Sequence, residues 1–194
     1  MKIDFLFFTN SILLGVGLAM DAFSVSLANG LNEPKMNIKK MNIIAGTFGL
    51  FQTLMPLIGW LCVHTIVNIF TSFQKFIPWI ALILLLYIGG KMIVEGIKNR
   101  DGAMETPAVG IGALMVQAVA TSIDALSVGF TITDYNFTMA LVASVIIGLV
   151  TYGICLIGIK IGKTAGTRLA GKASILGGII LIIIGIEIFL KGIL

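Results

Sequence analysis

Charge is what this sequence has least of. Asp, Glu, Lys and Arg together supply 11% of its 194 residues, where a soluble domain carries about 25%. So few charges cannot cover a water-facing surface on a chain of this length, which excludes a soluble globular protein and makes lipid the expected solvent. Histidine occurs once and cysteine twice. Cys62 and Cys155 lie far apart, each inside an apolar run, so they form neither a CxxC pair nor a disulfide framework and read as small buried side chains. His64, near the end of the second apolar run, reads as interfacial. The His and Cys clusters that zinc and copper prefer are absent. No GxxxxGK[ST] loop is present to bind a nucleotide, and no HExxH, GxGD or CxxC element of a membrane protease or thiol transferase, so an enzyme is not expected. The net charge of +4 is no nucleic-acid signal, because the basic residues are scattered through short loops.

What fills the chain is apolar. Hydrophobic residues make up 58% and mean hydropathy is +1.07. Glycine, at 23 residues, exceeds the average usage of about 7%; the pairs Ala45/Gly49, Gly158/Gly162 and Ala173/Gly177 have the small-xxx-small spacing of close helix contacts. About 20 apolar residues cross the hydrocarbon core as a helix, and such runs fall near 7–29, 42–64, 76–97, 108–131, 137–159 and 173–191. The first ends in Ser26-Leu27-Ala28, which mimics a signal-peptide cleavage site. Asp21 interrupts that would-be signal core and its motif recurs internally, so the run is expected to stay as the first span. A water-soluble bundle is excluded by the last run, I-L-G-G-I-I-L-I-I-I-G-I, apolar on every face. The predicted fold class is an all-α integral membrane protein of six transmembrane helices.

Orientation follows from lysine and arginine in the short loops. Lys35, Lys39, Lys40, Lys98, Arg100, Lys160, Lys163, Arg168 and Lys172 fall on one side; Lys2, Lys75 and Lys191 fall on the other, with Lys91 inside the third run. The bias puts the first group in the cytoplasm and both termini outside it. The polar linker K-N-R-D-G-A-M-E-T-P, residues 98–107, separates a first half (1–97) from a second (108–194).

Two acids break the apolar pattern. Asp21 in M-D-A-F-S-V-S and Asp124 in I-D-A-L-S-V-G share D-A-x-S-V at an offset of 103 residues. A weaker echo aligns I-G-G-K-x3-E-G-I from Ile88 with I-G-I-E-x3-K-G-I from Ile184. Three spans per half is an odd number, so the second half must enter the membrane from the opposite side. The halves are then inverted-topology repeats, the architecture of many transporters with a midplane site. Carboxylates at that depth are expensive and mark ion or proton pathways. Ser24, Gln117, Thr121 and Ser127 lie at helical spacing from them, and Gln52 precedes Pro56, a proline that frees a backbone carbonyl. An all-oxygen pocket of this kind suits a hard divalent cation, magnesium, calcium or manganese, and two carboxylates would neutralise it. Lys91/Glu95 and Glu187/Lys191 read as intrahelical pairs, with Glu95 kept among the pathway candidates.

The combination of M-D-A-F-S-V-S, M-P-L-I-G-W, G-G-K-M-I-V-E-G, T-S-I-D-A-L-S-V-G and the final L-G-G-I-I-L-I-I-I-G-I resembles the bacterial MntP-type manganese efflux pumps, distant relations of the LysE-type exporters. The resemblance implies export of Mn2+ from the cytoplasm across the cell membrane, with Asp21 and Asp124 at the positions of the family's acids. Gln52 stands where some relatives carry an acid. Exchange against protons or Na+ is the expected drive, and no bound cofactor is implied. The alternatives from the residues alone are export of another divalent cation or of a cationic amino acid, or an assembly subunit that tolerates neutral residues at both aspartates.

Overall fold

Long apolar runs leave a backbone no water to bond, so each must satisfy its own N–H and C=O groups, and the helix does so within one segment. The computed structural model describes residues 5–65, 77–98, 109–132, 134–169 and 173–193, and helix is the regular structure throughout them. In chain order the helices are α1 (Phe5–Asn32), α2 (Ile38–Thr65), α3 (Ile77–Lys98), α4 (Ile111–Ala120), α5 (Ile123–Thr131), α6 (Phe137–Leu169) and α7 (Ala173–Ile193). Two asparagines start the helices that follow short loops. Asn37 Oδ1 accepts the Lys40 N–H at 2.8 Å and Asn136 Oδ1 accepts the Met139 N–H at 2.9 Å, each satisfying a first-turn donor.

The segments Phe5–Asn32, Ile38–Cys62 and Phe137–Gly166 are long and apolar enough to cross a membrane, and α4 and α5 are so only when taken together across a 43° bend. Large apolar side chains stand exposed on all of the long helices, among them Leu13 (63%), Ile83 (61%) and Leu149 (65%). In water such a surface would be untenable; in lipid it is the expected exterior. The chain is a multi-pass membrane protein.

Small residues decide the packing. α1 lies along α6, with Gly158 against Phe23, Gly162 against Gly30 and Gly166 against Leu31. Rising numbers pair with rising numbers, so these helices run parallel. α2 runs parallel to α5, with Gly59 against Gly129 and the Trp60 indole N–H donating to the Tyr135 carbonyl at 3.0 Å. Gly49 and Gly148 meet where α2 crosses α6, and the Tyr152 hydroxyl reaches Asn42 farther along, so that pair is antiparallel. α3 and α7 are also antiparallel, through Gly89 with Gly178, Gly185 with Leu82 and Trp79 with Phe189. A Cβ at Gly49 would stand 2.8 Å from the Gly148 carbonyl oxygen, and one at Gly148 2.6 Å from that of Gly49. Only hydrogen fits at that crossing.

Two boundaries differ from expectation. The run 108–131 is a broken helix with its break at Thr121–Ser122 rather than one straight span. The fifth run continues ten residues past 159, because Gly162 and Gly166 seat the extra turns against the end of α1 and the loop behind it. There the Lys163 ammonium donates to the Met36 carbonyl and touches the Met41 sulfur at 3.7 Å, while Lys40 pairs with Glu33 at 2.6 Å. The 98–107 linker, apart from Lys98, lies outside the described residues, as do the side chains of His64 and Glu95. Cys62 and Cys155 are free thiols.

Candidate cation site

The break in the fourth span is written in its own side chains. The Thr121 hydroxyl donates to the Gln117 carbonyl at 2.9 Å and the Ser122 hydroxyl to the Ala118 carbonyl at 2.6 Å. Hydroxyls that bond back to the preceding turn bend a helix. The Ser122 N–H drops to a three-residue bond with Val119 at 3.2 Å, and the ladder resumes at Leu126 N–H to the Ser122 carbonyl. The break gives α5 a new N-terminus, and Asp124 sits in its first turn. Unbonded amides and the helix dipole favour a carboxylate there; Asp124 Oδ1 accepts the Ala125 N–H at 2.9 Å. Asp21 has no such help from a helix end. It lies in the interior of the continuous α1. Both aspartates are half-buried.

Gln52 ties the two motifs together. It is fully buried, and its Nε2 donates to the Leu18 carbonyl at 3.0 Å and to the Thr121 carbonyl at 3.2 Å. Leu18 is three residues before Asp21 and Thr121 three before Asp124. One amide nitrogen therefore spans equivalent points of the two motifs, using the Thr121 carbonyl that lies at the helix break. With the nitrogen so engaged, Gln52 Oε1 is left buried with no hydrogen-bond partner. An orphaned acceptor in the interior costs about 1–3 kcal/mol, unless something electropositive occupies the space in front of it. Pro56, one turn on, has no N–H to return to the Gln52 backbone carbonyl.

The other site candidates divide. Gln117 is fully buried and exchanges two hydrogen bonds with Asn29, Asn29 Nδ2 to Gln117 Oε1 at 2.8 Å and Gln117 Nε2 to Asn29 Oδ1 at 3.3 Å. Within a membrane such bonds are worth roughly 0.6–1.7 kcal/mol each. Thr121 is buried at the bridge. Ser24 is half-buried, its hydroxyl turned back to the Met20 carbonyl at 3.0 Å. Ser127 is not brought in: it stands on the exposed face of α5, because Leu126 and Gly129 hold the opposite face against Gly59 of α2. Asn29 was not singled out from the sequence, although it is a polar residue two turns after Asp21 in an apolar run. Ser144, whose buried hydroxyl oxygen also has no partner, gave no signal beyond its polarity. Among the described residues no three His, Cys, Asp or Glu side chains cluster as a metal centre. The other polar groups around the two motifs are amide, hydroxyl and backbone oxygens, a donor type that hard cations accept.

Long apolar helices packed through glycine, with large apolar side chains on their outer faces, define the class as a polytopic membrane protein. The family profile described as "Putative manganese efflux pump" matches residues 35–189, and the chain belongs to that MntP family. A "Putative manganese efflux pump MntP 2" of Clostridium botulinum is 42% identical over 194 residues, covering 93% of this chain and 92% of the relative. The MntP protein of Ruminiclostridium cellulolyticum is 41% identical, covering 94% of this chain and 95% of its own, and that of Gloeothece citriformis is 40% identical with 92% of each covered. No solved structure matches.

Proposed function

We propose that this protein is a secondary transporter that exports Mn2+ from the cytoplasm, holding the ion between Asp21, Asp124 and the Gln52 side-chain oxygen. The observation that carries the site is the Gln52 bridge with its orphaned oxygen. Since α1 parallels α6, α6 opposes α2 and α2 parallels α5, α1 and α5 run in opposite directions. The two aspartates then lie on opposite sides of the bridge, each about 4.5 Å along its axis at 1.5 Å per residue. Side chains lean toward the N-terminus of their own helix, so both carboxylates lean toward the Gln52 amide. Two carboxylates and an amide oxygen meeting from three helices suit one shared divalent ion. The names of the relatives favour manganese among hard cations.

The helix directions favour six crossings in two inverted halves. Parallel pairing of the first with the fifth run and the second with the fourth, and antiparallel pairing of the second with the fifth and the third with the sixth, is what six successive crossings produce. α3 and α7, at 22 and 21 residues, are long enough to span about 30 Å of hydrocarbon. The loop charges orient both termini outside the cytoplasm. The returning carboxylates can carry protons, or Na+ can replace the metal, which supplies antiport.

The test is Mn2+ uptake into inverted vesicles with and without an imposed proton gradient. Wild type is expected to accumulate Mn2+ faster with the gradient, and Asp21→Asn or Asp124→Asn to abolish uptake while still reaching the membrane. Uptake by both variants at the wild-type rate would sink the two-aspartate site. Indifference to proton and sodium gradients alike would sink antiport, and competition by other divalent ions or arginine would separate the alternative cargoes.

A further inference from the structure

The offset of 103 residues that relates Asp21 to Asp124 fails at one buried polar pair. The counterparts of Asn29 and Gln117 are Ile132 and Leu14, both apolar. The two ends of the bundle therefore differ at equivalent depth. Asn29 lies eight residues beyond Asp21, about 12 Å along the axis toward the α1–α2 loop. Gln117 precedes Thr121 by one turn on a helix running the opposite way, so it too lies on the loop side of the Gln52 bridge.

We propose that the Asn29–Gln117 amide pair is the loop-side gate to the aspartate site and, when parted, a station whose two side-chain oxygens receive a hard divalent cation as it sheds water. This rests on the export reading above. Closed, the reciprocal bonds at 2.8 and 3.3 Å join α1 to α4, with both side chains fully buried, which leaves no passage for a hydrated ion at that level. Parted, the pair presents Asn29 Oδ1 and Gln117 Oε1, neutral oxygen ligands of the kind hard cations accept. Ser26, three residues before Asn29 and on a neighbouring part of the same helix face, adds a fully buried hydroxyl beside the Cys155 thiol. Lipid-buried carboxylates alone would require the ion to lose its whole water shell in one step; amide oxygens on the approach divide that loss. The opposite end has Leu14, exposed on the outside of α1, and the buried Ile132 at the matching positions, so it offers the ion no comparable oxygens. Loading and release thus meet different chemistry although the halves share a motif.

The experiment compares Asn29→Leu, Gln117→Leu and the exchanged pair Asn29→Gln/Gln117→Asn with wild type. Mn2+ binding to purified protein is read from loss of the free aqueous Mn2+ EPR signal, and transport from initial uptake into inverted vesicles. Each leucine variant is expected to bind Mn2+ within about twofold of wild type yet transport it at least about tenfold more slowly, and the exchanged pair to recover most of the rate. Wild-type transport in the leucine variants overturns the gate. So does loss of binding together with transport, which would make the pair part of the resting site or the fold, and so does failure of the exchanged pair to recover. Asp21→Asn measured alongside tests the underlying site separately: retained binding in that variant refutes the aspartate site, whatever the amide variants do.

Discussion

Single polar side chains carry the chemistry in this protein because the rest of the bundle offers so little. A carboxylate at mid-membrane depth costs about 2.5–3.5 kcal/mol on insertion scales, and the two halves offset that cost differently. Asp124 has the start of α5, created by the break at Thr121–Ser122, whereas Asp21 lies along an unbroken helix. Gln52 is the residue on which both motifs converge. Replacing it with leucine removes both amide N–H donors and with them the bonds to the Leu18 and Thr121 carbonyls. Gln52→Leu is therefore expected to lower stability by about 1–3 kcal/mol and to abolish Mn2+ binding measured by EPR. A folded Gln52→Leu protein that binds Mn2+ like wild type would remove Gln52 from the site. Its place before Pro56 marked Gln52 as a candidate; that its amide bridges equivalent carbonyls of both motifs was not legible, since the bond spans 34 residues in one direction and 69 in the other.

At the scale of helices, backbone proximity sets where each element sits. A Cβ at Gly162 would collide with the Leu27 carbonyl oxygen and stand 3.0 Å from the Gly30 Cα, while one at Gly153 on the same helix meets nothing within 4 Å. Gly162→Ala is accordingly expected to force α1 and α6 apart and cost about 1–3 kcal/mol. Gly153→Ala should stabilise by a few tenths to about 1 kcal/mol by removing backbone freedom inside a helix. Thermal unfolding in detergent followed by size exclusion checks both; equal melting temperatures for the two variants would contradict the close crossing. The Gly158/Gly162 spacing announced a contact but not its partner. The break in the fourth span was hidden more deeply, because Thr121 and Ser122 have ordinary helix propensities and act only through bonds to the turn before them. Ser127, placed at the site by spacing from Asp124, stands outward because α5 is oriented by its glycine contact with α2.

For the whole molecule, the membrane assignment and the two-ended character are the main consequences. The inside-positive bias predicts that exposed Lys39, in the first turns of α2, faces the cytoplasm and exposed Asp134, before α6, faces outward. In protein lacking Cys62 and Cys155, a membrane-impermeant maleimide should label Asp134→Cys on intact cells and Lys39→Cys only after permeabilisation. The reverse pattern would invert the protein and turn the proposed direction of loading around. Local sequence alone determined the apolar runs, the caps and the presence of an acid within two of those runs, because hydropathy and side-chain charge are local properties that lipid reads directly. It also determined the family, through motifs that survive as strings. Which helices lie side by side, the Gln52 bridge and the Asn29–Gln117 pair were decided by the tertiary structure. Each depends on glycine-to-glycine contacts between distant segments, and on hydrogen bonds whose partners become neighbours only once the bundle has closed.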